Sequence, residues 1–342
     1  MEQKQMELKK SILLNALFNV KKLSCNLMRS AALGLATSVF IISSVQAAGG
    51  YPLNVTDSFG NETTINSAKR IVALVPSVSD AIFGLGLGDL VVGRTKNAIW
   101  PEGVIEKLPD VGSYSSLNVE GVLSLNPDLV IMPDWAAKKE GNLGIFEQLK
   151  AADVDVLIVP ELARAKEQGK YTMRVLEEFV ELIAAALEVP EKGHELIEGM
   201  RLDAAAAAKL AADSGKHYRV MSMLPYSEGS TRTTGLMKTE DLVIRLAGAI
   251  NVGAEAKISG EKEIDPEAII PMKPDYIVIP QKLWDRNEDP VQYILAIPGV
   301  SETPAGENKK FLTWASLETH RASWRLPSAA KAFAEKLYAD DK

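Results

Sequence analysis

The chain has 342 residues, 46% of them hydrophobic, which is more than one small domain needs and too apolar for a disordered protein. Its formal net charge of −7 argues against nucleic acid as a partner, because phosphate binding requires a basic surface. A single cysteine, Cys25, excludes a disulfide framework and a thiolate metal site, and the three histidines lack the spacing of metal ligands.

The first segment has the order of a secretory signal. Six basic residues precede the apolar run "AALGLATSVFIISS", and the small residues of "SVQAAGG" follow it. This order predicts a signal peptide over 1–47, cut after Ala47, and therefore a periplasmic protein. Met28 is an alternative translation start. Lysines beside Cys25, and the position of the main apolar run after it, argue against a lipid anchor.

The next segment alternates strands and helices. Residues 51–66 predict a β-hairpin. The runs "RIVALV", "LVVGRT", "DLVIMP" and "VDVLIVP" are typical of buried strands, and "SVSDAIFGLGLGD", "NVEGVLSL" and "GIFEQLKAAD" of helices, the first capped by Ser77 or Ser79. We therefore expect a doubly wound parallel α/β lobe over 48–169.

Two long helices interrupt this rhythm. Apolar residues at helical spacing predict a connector helix over 170–189, which Pro190 stops, and a second long helix follows. The α/β alternation then resumes from "YRVMSML" to the end, so 190–342 is expected to form a second α/β lobe. The predicted fold is two doubly wound α/β lobes joined by a long rigid connector helix.

An internal match links the two halves. Residues 118–133, "NVEGVLSLNPDLVIMP", align without a gap to residues 265–280, "DPEAIIPMKPDYIVIP", at a constant offset. Both copies place an Asn or Asp as helix N-cap before a short helix, and a proline before the strand. Shared α/β patterning alone is one explanation. Two lobes of similar fold with a cleft between them is the other.

The match isolates two glutamates, Glu120 and Glu267. Each lies two residues after its N-cap, where an acid complements the helix dipole by about 0.3–1 kcal/mol. The same residue at corresponding positions of both lobes also suits a two-fold partner that carries one arginine on each subunit. The sequence alone does not decide between the helix-dipole role and the docking role.

Candidate ligand-binding residues fall after strands or in connecting loops, where ligands bind in parallel sheets. Aromatic residues there would suit a large flat ligand, and arginines would suit its anionic groups, although local packing and surface charge are the simpler explanations for each one. The aromatic candidates are Trp100, Tyr114, Trp135, Tyr226, Trp284 and Trp314, and the arginines are Arg94, Arg232, Arg321 and Arg325.

Motifs for catalysis are absent from the sequence. "GLGLG" at 84–88 ends a helix, whereas a dinucleotide-binding loop must open one. No nucleophile elbow or P-loop occurs, so we expect neither an enzyme nor a cofactor. An exported α/β hydrolase, and a sensor subunit that binds a membrane partner without transport, remain the alternatives from other classes.

The sequence resembles the periplasmic substrate-binding proteins of ABC importers for iron complexes, haem and cobalamin. The resemblance rests on "KRIVALVPSVSDAIFGLGLGDLVVGRT", "LPDVGSYSSLNVEGVLSLNPDLVI", "DLVIRLAGAINV" and "IDPEAIIPMKPDYIVI". It implies two lobes bridged by a rigid helix with limited closure, and a monomer that delivers its ligand to an inner-membrane permease dimer. It also implies that Glu120 and Glu267 pair with permease arginines.

The resemblance leaves several ligands open. "EGVLSLNPDLV" and "IPGVSETPAG" look most like the haem-binding branch, which places an iron-ligating tyrosine directly after "DVG". Here that position is Ser113 and the tyrosine is Tyr114, with His320 as a second candidate iron ligand. A ferric siderophore needs no protein ligand to its iron. We rank an iron chelate, siderophore or haem, above cobalamin.

Overall fold

The computed structural model describes residues 50–341 except 114, 139–141, 143, 228–229 and 315–318. The side chains of Tyr226, Ser227 and Ser230 are also outside the description, as are the predicted signal peptide and Cys25. Within the described part of the chain, no helix combines the length and the apolar character that a membrane span requires.

The N-lobe is built on a parallel sheet in the order β4-β3-β7-β8, with a separate antiparallel hairpin of β1 and β2. Both features confirm the sequence prediction. Its strands are β1 (Leu53–Thr56), β2 (Glu62–Ile65), β3 (Ile71–Ala73), β4 (Val91–Arg94), β5 (Gly112–Ser113), β6 (Ser116–Leu117), β7 (Leu129–Pro133) and β8 (Asp155–Val159). Its helices are α1 (Pro76–Gly84), α2 (Val119–Ser124), α3 (Asp134–Ala137), α4 (Ile145–Ala151) and α5 (Leu162–Glu167).

Two helices connect the lobes: α6 (Met173–Ala186) and α7 (Pro190–Ser214). Pro190 opens α7 at a position where its missing N–H costs no hydrogen bond. Helix α6 is buried in the cores of both lobes. Val175 and Val180 pack with the C-lobe core, whereas Phe179 and Ile183 pack with the N-lobe core. Burial of each such side chain is worth about 1.5–3 kcal/mol, so moving one lobe along α6 would expose costly apolar surface.

The C-lobe contains a mixed sheet in the order β12-β10-β9-β13-β14, with β11 beside β9. Strands β9, β13, β14 and β11 are parallel, but β10 and β12 are antiparallel neighbours that the expected strict alternation missed. Its strands are β9 (Arg219–Ser227), β10 (Ser230–Thr234), β11 (Ile250–Asn251), β12 (Glu261–Ile264), β13 (Tyr276–Pro280) and β14 (Phe311–Trp314). Its helices are α8 (Thr239–Leu246), α9 (Val252–Glu255), α10 (Pro266–Met272), α11 (Gln281–Arg286), α12 (Pro290–Leu295), α13 (Pro304–Glu307) and α14 (Leu326–Leu337).

Both sheets are buried on two faces, and their strands alternate between two cores. In β7, Leu129 and Ile131 face the core that contains α6, whereas Val130 and Met132 face the opposite core. The matching residues of β13 divide in the same way, 276 and 278 toward α6 and 277 and 279 away from it. The internal match therefore places equivalent strands in equivalent layers.

The repeat extends to the turns that flank it. Asn118 and Asp265 both cap their helices through the side chain. The helices end in equivalent left-handed turn residues, Asn126 with φ 46° and Lys273 with φ 45°. One arginine in each lobe then closes the helix end. The Nε of Arg70 donates to the carbonyl of Asn126 (3.0 Å), and the Nε of Arg219 donates to that of Lys273 (3.2 Å).

Helix α1 begins differently from the prediction. Pro76 occupies its first turn, and the N-cap position is Val75, at φ 85° and with no side-chain cap. The predicted caps Ser77 and Ser79 therefore lie inside the helix. The reason is that proline already has the φ of a helix and needs no capped N–H. The Ser77 hydroxyl does not cap the helix and instead donates a hydrogen bond to Glu161 at 3.3 Å.

Candidate functional site

A cavity of about 420 Å³ lies where the strands of the N-lobe sheet end. Each of the four strands is followed by a residue that lines it: Ser77 after β3, Thr95 after β4, Trp135 after β7 and Glu161 after β8. This is the edge at which parallel sheets bind ligands. The full lining is Val75, Pro76, Ser77, Thr95, Asn97, Ser113, Trp135, Glu161, His320, Arg321 and Ala322.

The opposite wall belongs to the C-lobe and carries two basic side chains. The Nδ1 of His320 lies 3.4 Å from Oε1 of the buried Glu240 at the start of α8. Burial lowers the pKa of His320, which favours the neutral imidazole. Arg321 reaches across the cleft and donates from Nη2 to the carbonyl of Asn97 at 2.7 Å. Burial also lowers the pKa of Arg321, yet arginine stays cationic in proteins.

The residues after Arg321 join the lobes beside the cavity. Ser323 donates to Oδ2 of the buried Asp80 at 3.1 Å, and the Trp324 indole donates to the Asp80 carbonyl at 2.7 Å. The Trp324 ring lies edge-on to Trp100 with centroids 5.8 Å apart, and the Arg325 guanidinium lies 4.9 Å from the Trp100 centroid. These contacts and helix α6 hold the two walls of the cleft together.

Two adjacent buried carboxyl groups form the acidic side of the cavity. Asp134 accepts four hydrogen bonds. Three come from backbone N–H groups, those of Glu161 (3.1 Å), Leu162 (3.0 Å) and Ala163 (2.9 Å), and the fourth comes from the hydroxyl of Ser58 (3.1 Å). Asp134 thereby caps helix α5. Glu161 accepts a hydrogen bond from the Ser77 hydroxyl at 3.3 Å, and burial, reinforced by the charge of Asp134, raises its pKa from 4.5 to about 7.

We expect Glu161→Gln to stabilise the protein at high pH only. A carboxyl whose pKa is raised by folding binds more protons in the folded state, so its stabilising contribution is complete below pH 4.5 and is lost as the pH rises toward 7. The loss corresponds to roughly 3 kcal/mol. The substitution should therefore raise the free energy of unfolding by roughly 2–3 kcal/mol at pH 8, and little at pH 4.5, in urea titrations. Equal gains at both pH values would contradict this assignment, and Glu195→Gln on an exposed face is the control.

Thr95 gives the cavity a further polar group. Its side chain is buried, and its hydroxyl has no hydrogen-bond partner among the described residues. A buried hydroxyl without a partner is costly unless something in the cavity bonds to it. The described residues hold no group of three or more histidine, cysteine or carboxylate side chains arranged for a bare metal ion.

The structure brings three of the sequence-predicted residues together in the cavity: Trp135, His320 and Arg321. Trp100 and Arg325 lie beside it in the contact between the lobes. Tyr114, and the side chain of Tyr226, lie outside the described residues.

The other predicted residues have different environments. The Arg94 guanidinium donates to the carbonyls of residues 105, 95 and 96, and Arg232 pairs with Glu261 at 3.2 Å. Trp284 is half-buried against the C-lobe core, and Trp314 is buried against Phe333. None of these four is among the lining residues described for the cavity.

The two repeated glutamates, Glu120 and Glu267, lie in the first turns of α2 and α10 and are exposed. Their carboxylates make no ion pair among the described residues. They occupy equivalent positions on the two lobes, as the sequence match predicts.

Sequence reasoning missed the polar lining of the N-lobe, namely Ser77, Thr95, Asn97 and Glu161. A signal for most of it exists in the sequence. In "IVALVPS" and "LIVPE", the first polar residue after the apolar run is Ser77 or Glu161, and in "VVGRT" Thr95 directly follows Arg94 at the end of the strand. The rule that ligands meet the carboxyl ends of parallel strands would have selected them, as it selected Trp135.

Comparison with known proteins identifies relatives along most of the chain. The family model for periplasmic binding proteins matches residues 71–317. The uncharacterized ABC transporter substrate-binding lipoprotein YvrC of Bacillus subtilis (strain 168) is 30% identical over 230 residues, 67% of this chain and 69% of that protein. The molybdate-binding protein MolA of Haemophilus influenzae is 26% identical over 278 residues, 75% of each chain.

A solved structure supports the same relationship. The periplasmic heme-binding protein RhuT from Roseiflexus sp. RS-1, in its apo form, is 28% identical, has a TM-score of 0.66, and aligns over 81% of this chain and 100% of that one. The family match runs from β3 past β14, and so it includes both sheets, the connector helices and both copies of the repeat. This chain belongs to the periplasmic binding protein family.

Proposed function

We propose that this protein is the substrate-binding component of an ABC importer, which captures an iron chelate, a ferric siderophore or haem, in the cleft and delivers it to a membrane permease. The observation that carries the proposal is a polar cavity whose walls come from both lobes, while one helix is packed into the cores of both. Such a cleft is largely preformed, so binding needs little closure. The carrier acts without catalysis or a resident cofactor.

Haem is the ligand class that the cleft supports best. The RhuT relative is named as a heme-binding protein. In the cavity, His320 has its Nδ1 against the Glu240 carboxylate, and a carboxylate at one ring nitrogen orients the other for iron and raises its basicity. Trp135 supplies an aromatic surface, and Arg321 a cation for a ligand carboxylate.

Addition of haemin to the purified mature protein tests this proposal. We expect a shifted Soret band, and we expect His320→Ala to alter that band and to weaken haemin binding by tenfold or more, because an iron ligand is lost. His194→Ala, at an exposed position of α7, is the matched control and should leave the spectrum unchanged.

The same experiment separates the alternatives. An unshifted haemin spectrum, together with quenching of tryptophan fluorescence by a ferric siderophore, would move the ligand to the siderophore class. Tight binding of cobalamin alone would overturn the assignment to iron chelates while leaving a carrier function in place.

Export and docking complete the proposal. The predicted signal peptide directs the protein to the periplasm, where it acts as a monomer. Glu120 and Glu267 dock onto an inner-membrane permease dimer, one glutamate to each subunit. Their exposure, their equivalent helix positions and their freedom from ion pairs among the described residues support this role, because a docking acid has to be available to a partner arginine.

A further inference from the structure

The cavity has opposite electrostatic characters on its two walls. Glu161 belongs to the N-lobe wall, and Arg321, the one lysine or arginine among the described lining residues, belongs to the C-lobe wall. A sphere of the cavity's volume is about 9 Å across, close to the Debye length of about 8 Å at physiological ionic strength. The charge state of Glu161 therefore acts on any charged group that occupies the cavity.

The surroundings of Glu161 allow its carboxyl group to be either protonated or ionised. Its side chain is buried and accepts a hydrogen bond from the neutral Ser77 hydroxyl at 3.3 Å. No ion pair among the described residues includes Glu161. Burying an ionised carboxylate without a cation is costly, whereas the neutral acid is tolerated.

The titratable and charged groups around Glu161 indicate which side chain in the cavity binds a proton. On α3, Asp134 accepts three backbone N–H groups and a hydroxyl, so its carboxyl oxygens are already engaged as acceptors. Before α6, Tyr171 stays protonated, because burial and the surrounding carboxyl groups of Glu161, Asp134 and Glu240 raise its pKa. Across the cavity stand His320 and Arg321. Glu161 is buried without a cation, its pKa is raised by that burial, and it is the carboxyl group to which we assign the proton.

We propose that Glu161 couples ligand binding to proton uptake: the cleft binds an anionic ligand near Arg321 with Glu161 in its neutral acid form. The inference rests on the carrier function proposed above and adds the charge class of its ligand. The proton comes from solvent and goes to the Glu161 carboxylate. Protonation of Glu161 removes a negative charge from the cavity, so an anionic ligand near Arg321 meets less repulsion.

Isothermal titration calorimetry at pH 6 and pH 8, in buffers of different ionisation enthalpy, tests the coupling. The probes are haemin and molybdate, of which molybdate stays a dianion over this range. Since the pKa of free Glu161 is about 7, we expect uptake of about 0.9 proton per bound anion at pH 8 and about 0.1 at pH 6. Affinity should be about tenfold weaker at pH 8 than at pH 6.

Glu161→Gln is the decisive variant, because the amide resembles the neutral acid in shape. It should bind as wild type at pH 6, bind about tenfold more tightly than wild type at pH 8, and remove the proton uptake that is due to the protein. A residue with only a structural role would weaken binding at both pH values. Glu195→Gln, at an exposed position of α7 outside the described lining of the cavity, is the control and should keep the wild-type pH dependence.

Two results would overturn the proposal. If a probe binds with the same pH dependence in wild type and Glu161→Gln, Glu161 does not carry the proton, although the carrier function stands. If neither anion binds at pH 6 and the protein takes only a neutral siderophore or a corrinoid, the anionic ligand class is wrong. Failure of every chelate to bind would instead refute the carrier function, and with it the coupling.

Discussion

Reversing the charge of Glu120 and Glu267 together is expected to abolish uptake of the ligand while its affinity for the isolated protein stays unchanged. Both side chains are exposed on short helices that precede central strands, and neither is among the cleft-lining residues. Removing a charge from a desolvated interface pair costs about 2–5 kcal/mol, so two reversals should reduce uptake by about 100-fold or more. Uptake of labelled chelate by cells is the measurement.

Matched controls make this result specific. Glu195 and Glu335 are exposed acids on helices outside the repeat, and their reversal together should leave uptake unchanged. Each single reversal at Glu120 or Glu267 should give an intermediate rate, because a two-fold partner retains one contact. Normal uptake by the double variant, at normal protein level, would remove the docking role from both glutamates.

Replacing Asp134 by alanine is expected to produce the largest loss of stability. Its carboxylate accepts the N–H groups of Glu161, Leu162 and Ala163 at the start of helix α5, together with the Ser58 hydroxyl. Alanine would leave several of these buried donors unsatisfied, at about 1–3 kcal/mol each before water compensates. We expect the free energy of unfolding in urea to fall by about 3–5 kcal/mol.

Asp155→Ala is the control for this substitution. Asp155 also accepts hydrogen bonds, from the backbone and side chain of Asn66, but at an exposed site where water can replace it. Its loss should cost about 1 kcal/mol or less. Because Asp134 fixes the backbone of Glu161, the alanine variant should also weaken haemin binding. A loss of stability no greater than that of Asp155→Ala would show that Asp134 is not the cap on which the cleft depends.

Local sequence patterns predicted much of the architecture. Apolar runs of strand length and helical spacing identified both α/β lobes and the connector, because hydrophobic periodicity is a property of neighbouring residues. The match between 118–133 and 265–280 predicted equivalent elements, and the side-chain caps at Asn118 and Asp265 confirm them. The antiparallel strands β10 and β12 were missed, because "STRTT" and "EKEI" lack apolar runs and become strands by pairing with each other and with β9.

The roles of individual side chains depended more on the fold. Arg94 and Arg321 were both predicted from the sequence to face the cleft, Arg94 after a strand and Arg321 in a loop or helix start of the second lobe. Yet Arg94 donates to nearby carbonyl groups of its own lobe, whereas Arg321 lines the cavity and reaches the other lobe. Trp135 and Trp314 differ in the same way, one in the cavity and one in the core. Such differences arise from contacts between residues that are far apart in the chain.

What the sequence determined by itself is the set of repeating elements: two α/β halves, their connector, and an exposed glutamate on each half. These depend on local hydrophobic period and helix capping. Only the tertiary structure decided which polar residues share the cleft and that Glu161 is buried beside Asp134. The pKa of a buried carboxyl group depends on its desolvation and on the charges near it, and both depend on the tertiary structure rather than on adjacent residues in the sequence.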